Sequence, residues 1–406
     1  MHDSIVIVGA GQAAGQLVAS LAQAGYRGAM TVVGDEPHPP YQRPPLSKKF
    51  LAGELELDRL YVKPMAFYDQ AGARLIQGTR ATAIDRAART VAIDGADALH
   101  YGTLVIATGS RPRRLAIPGA DLDGVLYLRT VDDVHAIRAR FATGQRLVIV
   151  GGGYIGLELA AVAAKKGLRV TVLEQMPRLM ARGVGPVVSA FYAQLHREEG
   201  VAVHTGIAVT GFEGEGRIER VVCGTTHHEA DLVVVGVGAV PNVELARAAG
   251  LTVQDGIVVD AQCRTSDPAI YAIGDCTFPH QPLLGRRLRL ESVHNALEQA
   301  KVAAAAIAGR PPPPTETPWF WSDQYDVKLQ MAGLGGGEGC AAVVRGDPAT
   351  GRSFAVFYLR DGTLVAVDAV NRMPEFMMSK QMIAAQARPD PSRLADERIA
   401  MTAFRG

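Results

Sequence analysis

Gly9-Ala-Gly11-Gln-Ala-Ala14 and Gly151-Gly-Gly153-Tyr-Ile-Gly156 carry one glycine spacing twice in a single chain of 406 residues. Each copy follows a short apolar run, Ile5-Val-Ile-Val8 or Leu147-Val-Ile-Val150, and opens a helix-like stretch, Leu17 to Leu21 or Leu157 to Ala161. In that setting the first glycine allows a sharp strand-to-helix turn, and the second lets the backbone approach a diphosphate. The third position, filled by Ala14 in the first copy, lets helix pack on strand, so the diphosphate meets the helix N-terminus. Gly9, Gly11, Ala13 and Ala14, and Gly151, Gly153, Tyr154, Ile155 and Gly156, are therefore candidate cofactor-binding residues. Each copy also has an acid at the end of the next strand. Thr31-Val-Val33 runs into Asp35 and Glu36, and Val170-Thr-Val-Leu173 runs into Glu174, where a carboxylate accepts hydrogen bonds from a ribose diol. Two dinucleotides held at once is the expectation.

The length suggests about two to three domains, and 48% hydrophobic with 20% charged residues suits an ordinary globular chain. No apolar run reaches the ~18 residues of a membrane span, and Met1-His-Asp-Ser leads straight into a strand without a basic and apolar leader, so a cytoplasmic protein is expected. A net charge of +1 argues against a nucleic-acid binder. Cys223, Cys263, Cys276 and Cys340 lie far apart, with no pair at redox or iron–sulfur spacing, and no metal site is expected.

Apolar runs alternate with helical stretches to about residue 240, which predicts doubly wound α/β sheets. Leu104 to Pro112 and Leu232 to Asn242 share a strand-to-glycine-to-proline grammar and mark two seams. Ile270-Tyr-Ala-Ile-Gly274-Asp275 and an alanine-rich helix from Asn295 to Ala308 return the chain to the first unit, and Pro311 to Pro314 form a stiff break. Beyond it, Ala341 to Val344, Phe354 to Leu359 and Leu364 to Val367 are short strands, with Asp361-Gly362 as a hairpin turn. The expected domains are 1–112 with 242–318, 113–241, and 319–406.

Six segments in order resemble the FAD-dependent ferredoxin reductases of bacterial oxygenase systems. They are residues 34–48, 107–112 (Ala-Thr-Gly-Ser-Arg-Pro), 151–158, 271–276 (Tyr-Ala-Ile-Gly-Asp-Cys), 289–296 and 318–326 (Pro-Trp-Phe-Trp-Ser-Asp-Gln-Tyr-Asp). The resemblance spans essentially the whole chain. It implies the glutathione-reductase fold: two Rossmann-like domains plus a smaller α+β C-terminal domain, with FAD in the first unit and NADH in the inserted one. The activity implied is hydride transfer from NADH to FAD, then single-electron transfer to a small acidic [2Fe-2S] ferredoxin that serves an oxygenase, by a monomer or weak homodimer.

The resemblance also carries site residues. Arg43, Ala81, Ala107, Thr108, Gly109, Arg129, Gly274 and Asp275 are implied FAD contacts. Glu291 and Val293 stand at a helix start whose partial positive charge faces the flavin N1 and O2 edge. Val237, Gly238 and Arg182 are implied on the NADH side. Lys48 and Glu158 are the implied catalytic pair, facing each other near flavin N5. A lysine after Arg43-Pro-Pro-Leu-Ser47 also reads as a solvated group, whereas a carboxylate between Leu157 and Leu159 requires a partner. Glu174 repels a 2′-phosphate and favours NADH over NADPH, with Arg178 and Arg182 as the competing signal. Trp319 and Trp321, the only tryptophans, read as core or, by family position for Trp321, as cover for the flavin near the electron exit. Arg286, Arg287, Arg289, Lys301 and Arg310 read equally as ferredoxin-steering cations or as a solvated face. Rubredoxin or another small carrier as acceptor, and an apoptosis-inducing-factor-like NADH-binding signalling role, are the alternatives.

Overall fold

The computed structural model describes residues 4–334 and 339–404, so Met1 to Asp3 and the last two residues of the third expected domain lie outside it. The described chain falls into two compact units, residues 1–43, 56–111 and 240–316, and residues 44–55, 112–239 and 317–406.

In the first unit five parallel strands lie in the order Ile270–Ala272, Thr103–Ile106, Ile5–Val8, Met30–Val33, Ala73–Ile76. Strand side chains alternate between faces, so this apolar run feeds two cores. Ile5 and Ile7 pack with Leu17, Leu21, Ala300 and Ala304 from the Gln12–Gln23 and Val293–Ile307 helices. Val6 and Val8 pack with Ile84, Val91 and Ile93. The second face is thus covered by an antiparallel sheet, Ala81–Asp85, Thr90–Ile93 and Ala96–His100, rather than by the helices a doubly wound sheet predicts. Each fully buried Leu or Ile contributes about 1.5–3 kcal/mol, whichever element supplies it.

The second unit repeats the plan. Ala202–Thr205, Arg169–Glu174, Arg146–Val150, Leu232–Val235 and Val125–Tyr127 form a parallel sheet, with Tyr154–Lys165 as the helix after the glycine loop. Phe212, Ile218 and Val221, from a three-stranded antiparallel excursion, cover Val148, Val150 and Val235. The same unit contains a five-stranded antiparallel sheet, Trp319–Gln324, Val327–Gly333, Thr363–Val370, Phe354–Arg360, Ala341–Arg345. Asp361 and Gly362 close its hairpin with φ of 48° and 79°, the left-handed pair that a two-residue turn needs. The Met373–Ala384 helix lays Phe376, Met382 and Ile383 on Phe357, Leu359 and Val367. Among the described residues no helix is long and apolar enough to cross a membrane.

Candidate functional site

Ligands of open α/β sheets bind beyond the carboxyl ends of the strands. In the first unit Val8, Val33 and Ile106 stand level in adjacent strands, so Gly9–Gly11, Asp35–Glu36 and Ala107–Gly109 leave the sheet at one end, and Gly274–Asp275 follows there from Ile270–Ala272. Gly9 has φ +108°, and a Cβ on it would stand 2.2 Å from the Ala107 carbonyl oxygen, so only glycine fits. A Cβ on Gly11 would meet nothing within 4 Å. Gly11 is also the N-cap of Gln12–Gln23, and no side chain caps that helix. Gln12 Oε1 beside it is buried without a hydrogen-bond partner. An open face under uncapped N–H groups fits a dinucleotide diphosphate, and the unpartnered Gln12 oxygen beside it suits a hydroxyl donor of the same ligand.

The acids around this loop differ. Asp35 is exposed and meets Arg80 at 3.4 Å. Glu36 accepts from Arg43 Nη2 at 2.6 Å and from the Tyr41 hydroxyl, while Arg43 Nη1 donates to that hydroxyl at 2.9 Å. Gly78 and Thr79 N–H groups bond to the Glu36 and Gly34 carbonyls, bringing Ala81 to the same end. Asn242 Nδ2 donates to the Thr108 carbonyl at 2.8 Å, and Ser110 Oγ to Asp275 Oδ2 at 3.0 Å. Gln299, in the second turn of Val293–Ile307, accepts from Gly274 N at 2.7 Å. That helix starts two residues before the expected Asn295, with Ser292 accepting from Asn295 N, and the preceding Glu291 is exposed and paired with Arg289.

The second loop is built in the same way. Gly151 has φ +110°, and its Cβ would lie 2.4 Å from the Gly236 carbonyl oxygen; Gly153 faces open space and caps a helix with no side-chain cap. A Cβ on Gly156 would stand 2.4 Å from the Gly151 carbonyl oxygen, so this copy needs glycine where the first accepts the buried Ala14. Glu174 accepts from Gly152 N at 2.6 Å and Met176 N at 2.7 Å, which aims its carboxylate at the loop. Ile155 is 51% exposed at the helix start. The Tyr154 side chain instead packs inward, its hydroxyl 3.2 Å from Met331 Sδ and its ring 4.8 Å from Phe320. Arg178 donates to the Val184 and Ala181 carbonyls and is thereby committed to its own loop, whereas Arg182 is exposed, close to Gly238. Val237 is half-buried against the sheet, and Arg129 follows Val125–Tyr127 at the same carboxyl end.

Glu158 is 4% exposed in the second turn of Tyr154–Lys165, and Lys48 reaches it, Nζ to Oε2 at 2.8 Å. The Pro44–Ser47 turn sets that approach, since Lys48 N donates to the Pro45 carbonyl and Lys48 Nζ to the Pro44 carbonyl at 3.1 Å. Two hydroxyls that the sequence did not reveal complete the carboxylate. Ser47 Oγ donates to Oε2 at 2.5 Å and Ser322 Oγ to Oε1 at 2.7 Å. Burial pushes the Glu158 carboxyl up from its ordinary value, and Lys48, Ser47 and Ser322 pull it back.

Trp321 is half-buried, its ring 5.4 Å from Trp319, which in turn packs on Phe376 and under Lys380. Four of the five cations singled out from the sequence have local work. Arg287 donates to the Val259 and Phe278 carbonyls, Arg289 pairs with Glu291 and Asp255, Lys301 with Glu298, and Arg310 donates to the Ala24 carbonyl. Cys223, Cys263, Cys276 and Cys340 are not joined in disulfides.

Residues 3–300 match the family described as pyridine nucleotide-disulphide oxidoreductase, and residues 319–404 match the reductase C-terminal family. Putidaredoxin reductase of Pseudomonas putida is 44% identical over 405 residues, covering 98% of this chain and 96% of the relative. The ferredoxin–NAD(+) reductase component of the anthranilate 1,2-dioxygenase system of Burkholderia cepacia is 45% identical over 409 residues, covering 99% of both. The crystal structure of the covalent putidaredoxin reductase–putidaredoxin complex superposes with a TM-score of 0.96 at 43% identity, covering 99% of this chain and 98% of that one. Similar end to end in sequence and in fold, the chain belongs to the pyridine nucleotide-disulphide oxidoreductase family, among its FAD-dependent ferredoxin reductases.

Proposed function

We propose that the protein is an NADH-dependent ferredoxin reductase, with FAD held by residues 1–112 and 242–318, NADH by 113–241, and a C-terminal domain at 319–406. The observation that carries this is the pair of glycine loops, each open-faced under an uncapped helix, in a chain whose cysteines form no redox pair. Bound FAD supplies the chemistry of taking a hydride from NADH and releasing its electrons singly.

The chain's residues bind and orient. Gly11 and the start of Gln12–Gln23 receive the FAD diphosphate, with Asp35 or Glu36 at a ribose. Arg43, Ala81, Ala107–Gly109, Gly274 and Asp275 would line the rest, and the helix start at Glu291 to Val293 would offer its partial positive charge to the flavin. Gly153, Ile155 and the Tyr154 backbone receive the second diphosphate, with Arg182, Val237 and Gly238 beside it, and Glu174 accepts from the ribose diol. Lys48 and Glu158 position the nicotinamide and keep their charges paired throughout.

Without a protein dithiol, the electrons leave for an outside acceptor, a small acidic [2Fe-2S] ferredoxin serving an oxygenase in the cytoplasm, with the reductase acting as a monomer or weak homodimer. Anaerobic stopped-flow mixing with NADH tests the reading. Flavin bleaching in milliseconds, followed by reduction of two ferredoxins per NADH, is expected. Slow reduction to a long-lived charge-transfer dimer would favour the signalling reading, and faster delivery to rubredoxin would reassign the carrier.

A further inference from the structure

Behind Glu158 runs a line of buried polar groups that the hydride step does not touch. Ser322 Oγ donates to Glu158 Oε1 at 2.7 Å, Gln324 Nε2 donates to Ser322 Oγ at 3.1 Å, Gln324 Oε1 meets His196 Nε2 at 2.8 Å, and His196 Nδ1 meets the Tyr325 hydroxyl at 3.0 Å. His196 and Ser322 are fully buried, and Gln324 is 1% exposed.

The direction of every bond follows from the carboxylate end. An ionised carboxylate only accepts, so Ser322 spends its proton on Glu158 and must itself accept from an N–H. That sets the Gln324 amide with Nε2 toward Ser322 and Oε1 toward His196. His196 then carries its proton on Nε2, and its Nδ1 accepts from Tyr325. Burial drives the His196 pKa down to about 4, partly offset by Gln324, so the ring is neutral as this arrangement requires. The far end is held at a conformational cost. Tyr325 sits at φ +56° in the two-residue turn between Gln324 and Val327, a region bulky residues avoid, with its ring 5.1 Å from His196.

We propose that His196 is a positioning residue for the Lys48–Glu158 pair, acting through Gln324 and Ser322: its Nε2–H fixes the amide, and the amide fixes the hydroxyl that Glu158 receives. This rests on the assignment of Glu158 to the hydride step. The groups facing Glu158 are Lys48 and Ser47 from the proline turn, Ser322 from the Trp319–Gln324 strand, and the Tyr192 phenol from Pro186–Glu198; those facing His196 are Gln324, Tyr325 and Glu199. Without the Nε2–H, the Ser322 proton is shared between Glu158 and Gln324 Oε1, and a carboxylate that loses a donor protonates at higher pH.

The test is the pH profile of flavin reduction by NADH in FAD-loaded protein. His196→Leu and Ser322→Ala are each expected to move the acid limb up by as much as about one pH unit. The double variant is expected to move it no further than Ser322→Ala alone, because both act on one bond. His196→Gln, which can place an Nε2–H at the same reach, restores the wild-type limb. A His196→Leu profile superimposed on wild type, or shifts that add in the double variant, overturns the positioning role. Glu158→Gln separates the two readings: loss of the acid limb in that variant upholds the role of Glu158, and its persistence sinks that role and the inference together. If His196→Leu does not retain FAD, Gln324→Met breaks the same line at its next link and is read identically.

Discussion

Lys48 Nζ lies 2.8 Å from Glu158 Oε2, so a proline turn and the second turn of a glycine-loop helix are joined by one buried ion pair. Removing one partner of such a pair leaves the other desolvated and alone, which costs more than removing both. Lys48→Met is therefore expected to lower thermal stability more than Lys48→Met with Glu158→Gln. Either single variant should slow flavin reduction on the order of tenfold to a hundredfold, the worth of a charged hydrogen bond. Thermal melts read against stopped-flow traces check both, and equal melting of single and double variants would remove the pairing argument.

The two glycines of the first loop should behave oppositely. Gly11 has ordinary backbone angles and open space where a side chain would project, so Gly11→Ala should still fold, at a cost of about 1 kcal/mol because alanine is a poorer N-cap than glycine, while losing FAD affinity. Gly9→Ala, at φ +108° and against the Ala107 carbonyl, should damage folding itself. Apoprotein melts and flavin titration separate the two effects.

Glu174 is held toward the second loop by Gly152 N and Met176 N. On the proposed role of Glu174, Glu174→Ala would remove a ribose acceptor and a charge that repels a 2′-phosphate. NADH use should weaken roughly tenfold to a hundredfold while NADPH use improves. Steady-state kcat/KM with both coenzymes is the measurement, and equal use of the two by the unmodified enzyme would sink the assignment.

Trp321 is only half-buried, and it neighbours Trp319 and Phe320 rather than the principal core. If it guards the electron exit, Trp321→Ala should slow ferredoxin reduction and leave flavin reduction by NADH nearly unchanged. Ferredoxin coupling should also weaken as salt shortens the Debye length from about 10 Å at 0.1 M to about 3 Å at 1 M. Arg310 is a poor companion substitution, because its guanidinium holds the Ala24 carbonyl. Matching losses in both half-reactions would mark Trp321 as core.

Asp368 is buried, accepts from the Tyr358 hydroxyl at 2.6 Å, and has its pKa raised to about 7 by desolvation. The folded state therefore prefers the protonated acid. The stability this contributes is complete below about pH 4 and is lost as pH rises to about 7. Asp368→Asn keeps an acceptor for Tyr358 and removes the titration, so its stability relative to wild type should climb by a few kcal/mol across that window. Denaturant melts at pH 4 and pH 7.5 check the sign, and a flat difference would refute it.

The glycine spacing, the apolar runs and the strand-end acids are each written in contiguous residues, because a strand–turn–helix unit is built from local backbone requirements. Both glycine loops and the strand-end acids Asp35, Glu36 and Glu174 are therefore legible in the sequence. The antiparallel sheets that cover one face of each parallel sheet were not, since a face demands only apolar burial and short strands satisfy it as well as helices do. The surroundings of Glu158 lie at the other extreme. Ser47, Ser322, Gln324, His196 and Tyr325 come from three separated segments whose spacing carries no pattern, and a strand's alternation alone turns Ser322 away from Trp321 and toward the glutamate. A buried carboxylate could be seen in the sequence to need partners, but only the folded chain decided which ones, because donors are selected by distance and direction in space.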